Sequence, residues 1–269
     1  MKKITGIVLL LFVAFVIVSY FQREVALFSN GQEDKFTELD NTRVSFSIPN
    51  ITVNKKAKIQ FTLQDEKGTA LRGLNDTEQG KVHAVIMDDN LTHYEDIHPK
   101  FSGKGLFLIS HTFKKKGQYS LFLYVQDGQK REMFAQKSIQ VGKERKEPLP
   151  LQANSMLTTT VDGIQMSVIF NLLEAEKKEG ITFRFQGNKE DLYTLSSASG
   201  KQPKLMIADE TNSIILFAAP EKVKKKNDIS FSVTFPKPGL YKIWADFYIN
   251  GKGYEKEFVV TVTENKKAG

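Results

Sequence analysis

Residues 229–249 read ISFSVTFPKPGLYKIWADFYI. Ile229, Phe231, Val233 and Phe235 alternate with Ser230, Ser232 and Thr234. After a Pro-Lys-Pro-Gly break, Tyr241, Ile243, Ala245, Phe247 and Ile249 alternate with Lys242, Trp244, Asp246 and Tyr248. A side-chain period of two marks a strand with one face in a core and the other polar. Asn250-Gly251 follows at once. This dipeptide accepts the positive φ of a type I′ turn, so a hairpin is expected there. Gly239-x-Tyr241, at the head of the penultimate strand, resembles a tyrosine corner.

The same pattern stands about 122 residues earlier. VSFSIPNITVNKKAKI from Val44 lies over MSVIFNLLEAEKKEGI from Met166. Ile59, Phe61 and Leu63 match Ile181, Phe183 and Phe185. GKVHAVIMDDNLTHYEDIHP matches GKQPKLMIADETNSIILFAAP, placing Asp88 on Asp209 and Pro99 on Pro220. Phe113-Lys-Lys-Lys-Gly117-Gln-Tyr119 matches Phe235-Pro-Lys-Pro-Gly239-Leu-Tyr241, and Asp127-Gly128 matches Asn250-Gly251. Self-similarity at a fixed offset is the signature of a duplicated unit. Several short strands with turn signals in about a hundred residues predict an immunoglobulin-like sandwich.

Upstream, Ile4–Phe21 reads ITGIVLLLFVAFVIVSYF without a charge. As a helix, it is long enough to cross a bilayer core. Lys2 and Lys3 precede it, which places the N-terminus in the cytoplasm and the body outside. The run exceeds a signal-peptide core of about 7–15 residues and lacks an A-x-A exit, so an uncleaved anchor is favoured over a cleaved signal peptide and secretion. The fold class is therefore all-β: an N-terminal transmembrane helix followed by two tandem immunoglobulin-like β-sandwich domains. The anchor spans 1–22, a polar spacer 23–42, the first module 43–142, a linker 143–154 and the second module 155–264. The linker carries Pro148 and Pro150 among charges, which favours an extended, solvated segment.

The chain of 269 residues contains no cysteine, which removes disulfides, thiolate metal sites and a Cys nucleophile. Lys+Arg exceed Asp+Glu by 38 to 31, a net charge of +7 that suits an anionic surface. The basic runs Lys114–Lys116, Lys143–Lys146 and Lys222–Lys226 lack interleaved aromatics, so nucleic acid is not the expected partner. G-x-S-x-G, H-E-x-x-H, Walker and G-x-G-x-x-G motifs are absent, and no enzyme is expected. Gly103 and Gly105 in FSGKGLF read as a turn. Asp88-Asp89-Asn90 is only a fragment of a calcium loop.

All four histidines, His83, His93, His98 and His111, fall in the first module. Their matches in the second are Lys204, Ile214, Ala219 and Val233. Neutral imidazole is the commonest ligand for copper and zinc. His93 and His98 are five apart on a segment read as a loop that brings both rings to one point, with His83 as third ligand and His111, on the strand leaving the loop, completing the candidate metal set. Against this, His111 stands in an apolar row with Phe107, Ile109 and Phe113, as a core histidine would.

Residues Gly80–Tyr124, with His83, Asp88, Asp89, Leu91, His98-Pro99, Gly117 and Tyr119, resemble the YtkA-like domains and related bacterial extracytoplasmic β-sandwich modules. Those domains show a His-bearing strand, an Asp-rich turn, a His-Pro and a later Pro-Gly-x-Tyr. Here Lys116 stands where the Pro would be, and Asp96 where a second His often precedes the His-Pro. The resemblance implies a β-sandwich in the bacterial envelope. The expected function is a membrane-anchored extracytoplasmic, non-enzymatic binding protein. Its partners are the cell membrane, through the N-terminal helix, and an anionic envelope polymer or envelope protein. Copper or zinc handling by the first module, and a structural or assembly role, are the alternatives.

Overall fold

The computed structural model describes residues 42–71, 74, 81–127, 130–143, 148–187, 202–221 and 227–265. The expected anchor at 1–22 and spacer residues 23–41 lie outside them. Among the described residues every regular element is a strand, and no helix is long and apolar enough to cross a membrane.

The first copy contains β1 (Arg43–Ser47), β2 (Lys56–Gln64), β3 (Val82–Asp88), β4 (Tyr94–Ile97), β5 (Lys100–Phe101), β6 (Leu106–Thr112), β7 (Gly117–Asp127) and β8 (Lys130–Val141). The second contains β9 (Thr158–Val161), β10 (Ile164–Ile169), β11 (Lys178–Gln186), β12 (Lys204–Asp209), β13 (Ile215–Ala218), β14 (Asp228–Thr234), β15 (Gly239–Ile249) and β16 (Lys252–Val262). Each copy forms two four-stranded sheets: β1-β2-β6-β5 and β4-β3-β7-β8, then β14-β11-β10-β9 and β13-β12-β15-β16. The strand pairs within these sheets are antiparallel. The chain crosses between sheets in the manner of an immunoglobulin-like sandwich. The two tandem β-sandwiches expected from the repeat are present.

Alternating residues build each sandwich core. In the first copy Ile59, Phe61 and Leu63 of β2 and Phe107 and Ile109 of β6 are buried. So are Ala84 and Ile86 of β3 and Leu121, Leu123 and Val125 of β7. In the second, Ile181, Phe183 and Phe185 pack with Leu205, Ile207, Ile243 and Phe247 in one apolar cluster. FSGKGLF is the turn between β5 and β6, with positive φ at Gly103, Lys104 and Gly105. A Cβ at Gly105 would stand 2.5 Å from the Leu63 carbonyl oxygen, so only glycine fits.

The hairpin after β15 joins Ile249 to Lys252, with Asn250 and Gly251 both at positive φ, as a type I′ turn requires. In the first copy β7 ends its pairing at Asp127↔Lys130. Asp127 thus takes the place of Ile249 rather than Asn250, an offset of 122 residues.

In each copy one outer sheet face is not solvated. β3 is buried at six consecutive positions and β12 at five, on both faces. Val85, Met87, Leu91, Phe122 and Tyr124 of the first copy form one apolar cluster with Met206, Ala208, Ile215 and Trp244 of the second. The sheets β4-β3-β7-β8 and β13-β12-β15-β16 therefore pack on one another through their outer faces. Trp244, read from its alternation as lying on a polar face, is 1% exposed. Each large side chain buried this way contributes about 1.5–3 kcal/mol. Three linker residues, although mostly exposed, bond to or pack on the fold. Leu149 N donates to Asn90 Oδ1 at 2.9 Å, Leu151 packs against the seam cluster, and Asn154 exchanges hydrogen bonds with Val259.

Candidate functional site at the domain seam

Positions that the two copies share serve the fold. Asp88 Oδ1 accepts the backbone N–H of Thr92 at 2.9 Å and of His93 at 2.7 Å, closing the turn into β4. Asp209 Oδ1 does the same for Ser213 at 2.8 Å and Ile214 at 2.6 Å. The Asp-rich turn is a backbone anchor, which accounts for its appearance in both modules. The tyrosine corner is also duplicated: Tyr119 donates its hydroxyl to Lys115 O at 3.0 Å, and Tyr241 to Lys237 O at 2.8 Å.

The histidines do not converge on one point. The expected partnership of His93 with His98 does not form, because Tyr94–Ile97 is a strand rather than a loop. Successive strand residues face opposite ways, so Glu95 and Asp96 gather different imidazoles. Glu95 lies 3.3 Å from His111 Nδ1 and 3.7 Å from His93 Nε2. Asp96 lies 3.9 Å from His83 Nδ1, and the rings of His83 and His98 meet edge to face at 4.3 Å. Among the described residues no group of three or more His, Asp or Glu has the geometry to hold a metal ion. His111 packs against Phe113 at 4.4 Å, in the row where the sequence placed it.

His83 shares the strand face of Val85 and Met87 and so points into the seam. It stacks on Tyr124 at 4.9 Å, and its Nδ1 is buried without a hydrogen-bond partner. Burial lowers its pKa to about 4, with the charge of nearby His98 acting in the same direction and Asp96 opposing. Burial likewise lowers His111, against the pull of Glu95. Tyr124 donates to Asp96 Oδ1 at 2.8 Å; burial, then the Asp96 charge, pushes its phenol far up.

Across the seam Lys204 reaches Asp96 at 4.0 Å and Asp246 at 3.4 Å. Beside this cluster opens a cleft of about 500 Å³. Gln126 and Arg131 of the first copy line one wall; Lys204, Phe217, Asp246 and Tyr248 of the second line the other. Pro203, Ala219 and Pro220 complete an apolar margin. The Arg131 guanidinium lies 4.7 Å from the Phe217 ring centre and 5.7 Å from that of Tyr124, and its Nε donates to Gln126 Oε1 at 2.9 Å.

At the seam the copies differ in chemistry where their turns agree. His83 stands opposite Lys204 in the alignment, Asp96 opposite Phe217, His98 opposite Ala219 and Tyr124 opposite Asp246. The pairing of two like sheets has thereby become one asymmetric site. His83 and His98 were legible in the sequence as candidate site residues; Tyr124, Arg131, Lys204, Phe217 and Asp246 were not. The available signal was Trp244, an aromatic on a strand face read as polar.

No curated protein matches the chain. Among solved structures it is similar to the Escherichia coli adhesin FdeC, at 13% identity and a TM-score of 0.27, covering 83% of this chain and 64% of that one. A second likeness is to Salmonella alpha-2-macroglobulin, at 7% identity and a TM-score of 0.29, covering 83% of this chain and 15% of that one. A third is to the chicken CNTN1 FN1-FN3 domains, at 8% identity and a TM-score of 0.25, covering 81% and 66%. A family model described as "Domain of unknown function (DUF8832)" matches twice, over residues 37–142 and 159–264, on the two sandwiches whose turns and corners repeat. The chain therefore belongs to the DUF8832 family and carries its domain in tandem.

Proposed function

We propose that this chain is a membrane-anchored, extracytoplasmic, non-enzymatic binding protein whose ligand, a component of the cell envelope, enters the cleft at the seam between its two domains. The observation that carries the reading is the asymmetry of that seam. Residues that close turns and corners are kept in both copies, while His83, Asp96, His98 and Tyr124 face Lys204, Phe217, Ala219 and Asp246 in the alignment, residues of different charge and shape. Concave sites of about 300–1,000 Å³ at domain interfaces, part apolar with a few polar groups, are usual small-ligand sites. The apolar run Ile4–Phe21 and the preceding lysines support the address, and the resemblance to YtkA-like modules agrees with it.

Filling the cleft tests the proposal. Ala219, partly exposed on its margin, is replaced by Trp in the full-length chain. Detergent-solubilised parent and variant are sedimented with isolated cell walls. The parent should pellet with the walls and Ala219→Trp should remain largely in the supernatant, at unchanged thermal stability. Equal retention of the two would remove the cleft as the binding site. Absence of retention for both would leave a structural or assembly role.

A further inference from the structure

We infer that the ligand of the seam cleft is a sugar acid, held by its carboxylate on the Arg131 guanidinium. The inference rests on the cleft being the binding site and adds the ligand's chemical class. Three charged side chains line the cleft: Arg131, Lys204 and Asp246. Lys204 is shared between Asp246 at 3.4 Å and Asp96 at 4.0 Å, so its charge is already answered. No carboxylate among the described residues pairs with Arg131. Its one side-chain hydrogen bond among the described residues, from Nε to Gln126, orients the guanidinium plane, and the Phe217 ring at 4.7 Å supports it. Both terminal amino groups are left to donate.

A planar fork of this kind matches a carboxylate through two parallel hydrogen bonds. One unanswered cation suits one negative charge. A phosphate monoester, near −2 at neutral pH, would place its second charge in a cleft that Asp246 also lines. The rest of the lining suits a hydroxylated ring. Phe217, Pro203 and Pro220 offer apolar surface to its C–H face, while Gln202, Tyr248 and Asp246 stand at the edge where hydroxyls would lie. A cleft of about 500 Å³ holds a molecule of one or two rings.

Titration calorimetry on the full-length chain in detergent tests this with three probes that share one ring and differ at C6: D-glucuronate, D-glucose and D-glucose 6-phosphate. Glucuronate should bind at least tenfold more tightly than either other probe. Arg131→Lys keeps the charge but loses the fork, and should weaken glucuronate at least tenfold while glucose is unaffected. Gln126→Leu frees the guanidinium plane without removing it and should weaken glucuronate several-fold, so the proposal is testable even if Arg131→Lys fails to fold. Equal affinity for glucuronate and glucose, tighter binding of the phosphate, no binding of glucuronate, or indifference to both substitutions would overturn the inference. Those results leave the cleft itself to be judged by Ala219→Trp, whose readout does not depend on the ligand's class.

Discussion

His83 is a basic residue kept neutral by its position. Its side chain is 9% exposed; burial and the charges of His98, Arg131 and Lys204 disfavour its protonation, and Asp96 favours it. Its folded-state pKa of about 4 lies below the value of about 6.5 expected in the unfolded chain. The unfolded chain therefore takes up the proton first as pH falls. The stabilising effect of the neutral ring is complete above about pH 6.5, declines as pH falls, and is lost by about pH 4. That shift corresponds to on the order of 3 kcal/mol. His83→Gln removes the titration and keeps a polar side chain. Thermal unfolding from pH 7.5 to pH 4.5 should show a shallower loss of stability in this variant than in the parent. Parallel curves would mean that His83 titrates normally and is not held in the seam.

At the level of elements, the turn between β12 and β13 carries an unusual load. Burial raises the pKa of Asp209, but hydrogen bonds from Thr211, Lys237, Ile214 and Ser213 outweigh it and hold the carboxyl below its usual value. At 1% exposure the carboxylate has no water to replace those partners. Asp209→Ala leaves the turn's N–H groups unpaired and should cost about 2–4 kcal/mol in urea unfolding. Asp88→Ala, in the more exposed equivalent turn, should cost less. Equal losses would show that the two turns do not differ in burial. The strands and hairpins around these turns were legible because period two and Asn-Gly each have a single physical reading. The repeat made Asp88 and Asp209 visible as a pair. Their role as turn anchors was not legible, since an Asp cluster presents the same letters whether it binds a cation or its own backbone.

For the whole molecule, the sandwich class and the duplication were readable, but the apposition of the copies was not. A face carrying Lys242, Trp244, Asp246 and Tyr248 looks polar as a string. In the fold, Lys242 Nζ lies 5.1 Å from the Trp244 ring centre and pairs with Glu257 at 2.5 Å, leaving the indole to the other copy. The histidine placement failed for a related reason: chain spacing brought His93 and His98 together, whereas strand alternation at Glu95 and Asp96 separates them. Trp244 is the chain's single tryptophan, 1% exposed and edge to face with Tyr94 of the other domain at 5.2 Å. Its fluorescence therefore reports directly on the seam. In the native full-length chain the emission should be blue-shifted and resistant to iodide quenching. Val85→Asp, a change in the first domain, should shift it toward the solvent-exposed range. Solvent-exposed emission in the native chain, or emission indifferent to Val85→Asp, would contradict the packing of the two domains on one another.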